Sequence, residues 1–307
     1  MTDYGTLATY LKTGRERGEL AFEANFPLSS CCTFKIGGPA DFVIRPKTEG
    51  ALIGLVELLR TSGVRYSIFG NASNVLFDDP GYRGAIIFTS GLSGFSCEGE
   101  TLTAGSGMPV TQLAVTAKRA SLSGLEFTYG IPGSVGGAVY MNAGAYNGEI
   151  KDVCVASRVF EPGTGKVSVY AGADQRFGYR ESVYMNAELI ILSSTFKLRE
   201  SDPEKIGAEM DSLMQKRIDK QPLEYPSAGS VFKRCSGFYT AKLIEDSGLK
   251  GASVGGAQVS EKHSGFIINR GGATASDVRR LIEYIQVTVR EKFGVEIQPE
   301  VRIVSAE

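Results

Sequence analysis

Apolar and polar positions change period repeatedly along this chain, and no one period holds for long. ADFVIRP (40–46) is a β-rich run, and TEGALIGLVELLRTSG (48–63) follows with its apolar residues at helical spacing. YSIFG (66–70) and AIIF (85–88) read as short buried strands. MPVTQLAVTAKRAS (108–121) reads as a helix with Pro109 near its start. DVCVASRVF (152–160), VSVY (167–170) and LIILSSTFKL (189–198) return to strand. Short strands mixed with helices, without regular βαβ alternation, predict an α+β fold and not a doubly wound sheet.

The pattern changes near residue 200. Ser201-Asp202-Pro203-Glu204 is a helix-start signal, with Ser201 as the expected N-cap and Glu204 three positions on. The charged helix it opens runs to Gln221-Pro222. Beyond lie a loop (222–230), a helix (238–247), a strand (266–269), a long helix (275–293) and a last strand (301–304). Two domains are therefore expected, 1–200 with two αβ lobes and a smaller αβ domain at 201–307.

Composition narrows the chemistry. Lys and Arg total 33 against 34 Asp and Glu, so no global basic field invites nucleic acid or an anionic membrane. No stretch reaches the ~18–20 apolar residues of a membrane span, and the first twenty residues lack a signal-peptide pattern. Five cysteines without a CxxC argue against a disulfide framework or zinc site and for a reducing cytoplasm. The one histidine, His263, cannot build a His-rich metal centre. No metal is expected, and acid–base work falls to carboxylates, hydroxyls, Lys, Arg or a cofactor.

Glycine is in excess, 38 residues, about 12% against a usual ~7%. Six of them lie in GIPGSVGGAVYMNAGAYNG (130–148). The Rossmann and P-loop patterns are absent; Gly105-Ser106-Gly107, for instance, lacks the third glycine. A GxSxG at 251–255 reads as a turn, because helix precedes it and His263 follows too closely for a nucleophile elbow. Two loops remain. Gly70-Asn71-Ala72-Ser73-Asn74 leaves a strand directly, and 130–138 is rich in glycine and carries Ser134. Successive backbone N–H groups in such loops form anion nests, and a pair of them suits a diphosphate.

Six motifs then occur in order: TFKIGGPADFVI (33–44), GNASNVL (70–76), IPGSVGGAVYMNAGAY (131–146), FGYRES (177–182), PSAGSVFKR (226–234) and QPEVRIV (298–304). Together they closely resemble the UDP-N-acetylenolpyruvoylglucosamine reductase family of peptidoglycan synthesis. The resemblance implies a vanillyl-alcohol-oxidase-like (PCMH-type) FAD fold with a C-terminal substrate domain. It implies non-covalent FAD, with NADPH as co-substrate and the enolpyruvyl UDP-sugar as substrate. Gly70, Asn71, Ala72, Ser73, Asn74, Gly133, Ser134, Gly137 and Ala138 fall in its cofactor loops. The family's catalytic arginine falls on Arg180, its proton-donating serine on Ser230 and its glutamate on Glu300. Tyr179, Lys220, Arg234 and Arg302 are the substrate-binding candidates. Only KLRESD joins Lys197 to the long helix, so the chain resembles the shorter form, which lacks the tyrosine loop. An FAD oxidase of the same fold and a non-catalytic nucleotide-sugar binder are the other readings.

Overall fold

Thr48 begins the first helix in the strand-rich region as the spacing requires. Its hydroxyl accepts from the N–H of Ala51, and Leu52, Leu55, Val56 and Leu59 bury one face of Glu49–Thr61. A computed structural model describes residues 4–235 and 237–306 of the chain. They group into two compact units, neither a single stretch: the described residues of 1–24, 42–71 and 84–215 form one, and those of 25–41, 72–83 and 216–307 the other. The expected division at residue 200 does not include the two early excursions, 25–41 and 72–83.

The first unit holds two hydrophobic cores. One gathers Leu7, Leu11, Leu52, Leu55, Leu59 and Ile87 from the helices Tyr4–Glu16 and Glu49–Thr61 and the strand Tyr82–Phe88. That strand pairs in parallel with Tyr66–Phe69, within a four-stranded sheet ordered Leu20–Pro27, Pro39–Pro46, Tyr82–Phe88, Tyr66–Phe69. The second core lies against an antiparallel sheet of five strands, ordered Lys166–Ala171, Cys154–Glu161, Ile190–Lys197, Thr101–Gly105, Phe95–Glu98. The helix Val110–Arg119 and the short helix Val135–Tyr140 pack on it through Leu113, Ala117, Val135 and Val139.

In the second unit, Ser227–Ser230, Phe266–Asn269, Ala257–Val259 and Ser253–Val254 form an antiparallel sheet in that order. Ser253 thus pairs with Gln258 in a hairpin, as the turn reading of the GxSxG predicts. The helix Ala275–Phe293 buries Val278, Leu281, Ile282, Ile285 and Val289, a spacing that keeps one stripe inward. Its start is doubly held. Thr274 and Asp277 form a capping box, and the Asp79 carboxylate accepts from the N–H groups of Ala275 (2.7 Å) and Ser276 (3.0 Å). Val75–Phe77 pairs in parallel with Arg302–Val304.

The helix Pro203–Lys220 departs from expectation at its start. Asp202, not Ser201, accepts from the Glu204 N–H at 2.8 Å; Pro203 is locked at a helical φ and occupies the first turn, so the cap falls on the residue before it. Among the described residues no helix is long and apolar enough to cross a membrane.

Candidate flavin and substrate sites

The two glycine-rich loops meet. Gly70 ends the strand Tyr66–Phe69, and a Cβ there would lie 1.8 Å from Ser134 Oγ. Only glycine permits that approach. Asn71 Nδ2 donates to the Pro132 carbonyl at 3.1 Å. Ser134 caps the helix Val135–Tyr140, its hydroxyl accepting from the Gly137 N–H at 3.2 Å. Beneath, residues 106–110 run as a floor: Gly136 N–H donates to Ser106 O (2.8 Å), Val135 N–H to Met108 O (2.8 Å) and Val110 N–H to Gly133 O (3.1 Å).

The loops have donors to spare. Among the described residues, the backbone N–H groups of 70–74, Gly133 and Ser134 have no hydrogen-bond acceptor. Ala72 takes a left-handed φ of 44°, the backbone reversal from which anion nests are built. Buried and half-buried N–H groups without acceptors incur a desolvation cost that a diphosphate would offset. The residues present therefore fit FAD. Gly137 and Ala138 contribute differently from their neighbours: their N–H groups are bound to Ser134 Oγ and Ser134 O. What they offer a ligand is small bulk.

Arg180 stands in the first unit, on a segment anchored at both ends. The buried Tyr184 hydroxyl donates to Gln175 Oε1 at 3.1 Å, and the Ser182 hydroxyl to Tyr140 O at 2.7 Å. Arg180 itself has a left-handed φ of 54°. Its guanidinium donates to Asn142 O (3.3 Å) and Gly144 O (2.9 Å) and lies 5.3 Å from the half-exposed ring of Tyr179.

Asn142 is the residue sequence reasoning missed. It is fully buried with φ 42°, donates to Gly178 O (2.7 Å) and Glu149 Oε2 (3.0 Å), and accepts from Lys151 N–H (2.9 Å). The available signal was an asparagine inside a glycine-rich run, since Asn tolerates the left-handed region. The Lys151 ammonium first, then the Asn142 amide and the Arg180 charge, hold the Glu149 carboxyl below the usual range. Asn142→Asp removes both donations and sets a second carboxylate against Glu149. Urea unfolding is expected to show a loss of about 2–3 kcal/mol.

Ser230 and Glu300 come together in the second unit. Gly229 turns the chain with φ 77° and leaves Ser230 exposed. The Ser230 hydroxyl has only long bonds, to Phe232 O (3.4 Å) and Gly265 O (3.5 Å), so it is available to donate elsewhere. The Glu300 N–H donates to the carbonyl of Val231, and Asn74 Nδ2 donates to Glu300 O at 3.2 Å. Arg302 follows, its N–H on Asn74 O at 3.1 Å. Lys220 is exposed at the end of its helix, and Arg234 is exposed with its guanidinium 6.0 Å from the Tyr239 ring.

His263 backs the serine loop. Its Nδ1 accepts from the Gly265 N–H at 3.1 Å, and its ring packs edge-on to Phe266. Burial lowers its pKa, so the fold holds it neutral. The unfolded chain then binds a proton that the folded one refuses. This contribution to stability is complete above the ordinary histidine pKa of about 6.5 and declines as pH falls toward the lower folded value. His263 is the one histidine. Thermal unfolding between pH 7.5 and 5 is expected to lose a stability slope in His263→Asn that the wild type has.

Comparison with known proteins places this architecture. A family model described as an FAD binding domain matches residues 40–170, and one described as "UDP-N-acetylenolpyruvoylglucosamine reductase, C-terminal domain" matches 221–304. The fold and the loop pair thus define a flavin-binding α+β protein with a second unit of its own. The chain is 50% identical to the UDP-N-acetylenolpyruvoylglucosamine reductase of Clostridium botulinum (strain Okra), over 92% of each chain. It is 46% identical to that of Caldanaerobacter subterraneus, over 91% of this chain and 92% of the other. The crystal structure of the Thermus caldophilus reductase superposes with a TM-score of 0.78 at 33% identity, covering 92% of this chain and 98% of that one. The chain belongs to the UDP-N-acetylenolpyruvoylglucosamine reductase family.

Proposed function

We infer that this protein is an NADPH-dependent flavoenzyme that reduces the enolpyruvyl double bond of UDP-N-acetylenolpyruvoylglucosamine to give UDP-N-acetylmuramate for peptidoglycan synthesis. The carrying observation is half-identity to a curated reductase over 92% of both chains, in a chain whose two loops present a row of unsatisfied N–H groups. Bound FAD, once reduced by NADPH, supplies the hydride for the terminal carbon of the enolpyruvyl group.

The side chains divide the remaining work. Residues 70–74, Gly133 and Ser134 hold the diphosphate of FAD through backbone N–H groups, while Gly137 and Ala138 leave it room. Hydride addition puts negative charge on C2 and the adjacent carboxylate. Arg180 is always protonated and forks onto a carboxylate, so it is suited to stabilise that charge, and Glu300 completes the proposed catalytic set. The exposed, weakly engaged hydroxyl of Ser230 then delivers the proton to C2. Tyr179, Lys220, Arg234 and Arg302 bind the UDP-sugar. The protein acts in the cytoplasm.

An anaerobic experiment tests this. NADPH should bleach the yellow protein, and the enolpyruvyl UDP-sugar should restore the oxidised flavin spectrum. A protein without flavin, or one bleached by an alcohol substrate and indifferent to the UDP-sugar, would favour the binder or the oxidase instead.

A further inference from the structure

Gly265 links the serine loop to the one histidine of the chain. Its carbonyl accepts from the Val231 N–H at 2.8 Å and lies 3.5 Å from the Ser230 hydroxyl. Its N–H donates the other way, to His263 Nδ1 at 3.1 Å. A Cβ on Gly265 would lie 3.0 Å from His263 Cε1, 3.1 Å from Nδ1 and 3.3 Å from Ser230 Oγ. Imidazole and serine oxygen therefore border the same small space, and one residue is bonded toward both.

The histidine is itself held. Its N–H and that of Lys262 donate to Ser260 Oγ at 3.2 and 3.1 Å, and its carbonyl accepts from the Phe266 N–H at 2.9 Å. The next residue, Ser264, donates its hydroxyl to Ala241 O at 2.5 Å. Gly265 is buried, so its N–H needs the acceptor it has. A backbone N–H only donates, so Nδ1 is the unprotonated nitrogen of the ring. Resting on the reading of Ser230 as proton donor, we propose that His263 is its positioning residue: the Nδ1 lone pair fixes Gly265, and Gly265 fixes the stance of the serine hydroxyl.

This arrangement makes the donor sensitive to pH. A proton on Nδ1 would set two N–H groups against each other. Gly265 must then move to find another acceptor, taking with it the carbonyl beside Ser230. Burial is the first influence against that proton; the Lys250 ammonium also opposes it, and the Glu245 carboxylate favours it. Glu245, on the helix Thr240–Asp246, pairs with Lys250 at 2.9 Å. On the histidine's own segment Glu261 and Lys262 are exposed, and Lys262 Nζ donates to Ile218 O at 2.5 Å. Asparagine is the informative replacement, because its Oδ1 falls where Nδ1 does, accepts a hydrogen bond and takes up no proton.

The test is stopped-flow reoxidation of the reduced holoenzyme by the enolpyruvyl UDP-sugar, without oxygen, from pH 7.5 to 5. The wild-type rate should fall on the acid side by about ten- to a hundredfold, the cost of an ångström-scale misplacement. His263→Asn should show no such fall. His263→Leu, which offers no acceptor, should be slow by a similar factor at every pH, with reduction by NADPH unchanged. Added to Ser230→Ala it should slow reoxidation no further, since a group that acts through the serine has nothing left to act on.

Matching pH profiles in wild type and His263→Asn, with Ser230→Ala slow, overturn this inference alone. An additive loss in the double variant overturns it too, because the histidine would then serve the fold at large. Should His263→Leu fail to fold, the asparagine comparison decides. Ser230→Ala reoxidised at the wild-type rate overturns instead the reading on which the inference rests.

Discussion

Ser230→Ala should leave the NADPH half-reaction at its wild-type rate and slow flavin reoxidation by the UDP-sugar about 10²–10⁴-fold, the usual contribution of a positioned general acid. The selectivity is the point. Ser230 sits after a glycine turn at φ 77° with only long hydrogen bonds of its own, so losing its oxygen disturbs little else. Nothing in the reduction by NADPH needs a proton at C2. Ser230→Cys keeps a donor of lower pKa and should recover part of the rate. The check is stopped-flow spectroscopy without oxygen, following each half-reaction separately. Equal reoxidation rates in wild type and Ser230→Ala would remove the serine from the chemistry and leave its loop a binding role.

A second large effect is expected at Gly70. Any side chain there collides with Ser134 Oγ, 1.8 Å from the Cβ position, so Gly70→Val should separate the two loops that present the unsatisfied N–H groups. Each charge-assisted hydrogen bond contributes about 1.5–3 kcal/mol, so losing two of them weakens FAD binding by at least ~100-fold. The variant should purify folded but colourless. Gly70→Ala combined with Ser134→Gly removes the colliding oxygen and should bind FAD better than Gly70→Ala alone. Full flavin occupancy in Gly70→Val would show that the loops do not hold the dinucleotide.

How far the sequence could be read depends on how local each cause is. The helix Ala275–Phe293 matches its expected bounds because a clean apolar stripe runs along it, with a capping threonine before it and Gly294 at φ 67° after it. The strands from 154 to 197 were legible from β-branched runs for the same reason. The helix Val135–Tyr140 was not, since Gly136 and Gly137 depress helix propensity. It forms because Ser134 caps it and Val135, Ala138 and Val139 are buried. The site motifs single out Arg180, Ser230 and Glu300, the residues proposed for catalysis. They could not show that the Asn142 carbonyl holds the first, or that Val231 ties Glu300 to the serine loop and Asn74 ties it to the 70–74 loop. The grouping of 25–41 and 72–83 with the last ninety-odd residues escaped because such pairings leave no periodic trace.

The clamp that Asp79 places on the last long helix, together with the pairing of Val75–Phe77 with Arg302–Val304, has a consequence for how the chain is born. Asn74 and Glu300, bonded directly, are 226 residues apart. Contacts so distant in sequence make loop closure expensive and folding slow. Synthesis runs at about 5–20 residues per second, so the 72–83 segment waits on the order of ten seconds for the strand that pairs with it to be made. During that wait VLF (75–77), fully buried in the finished molecule, is an unpaired apolar strand within reach of other nascent chains. Chaperone capture in a synthesis time course should therefore be strongest on chains that end before residue 300 and fall once the C-terminal strand is released.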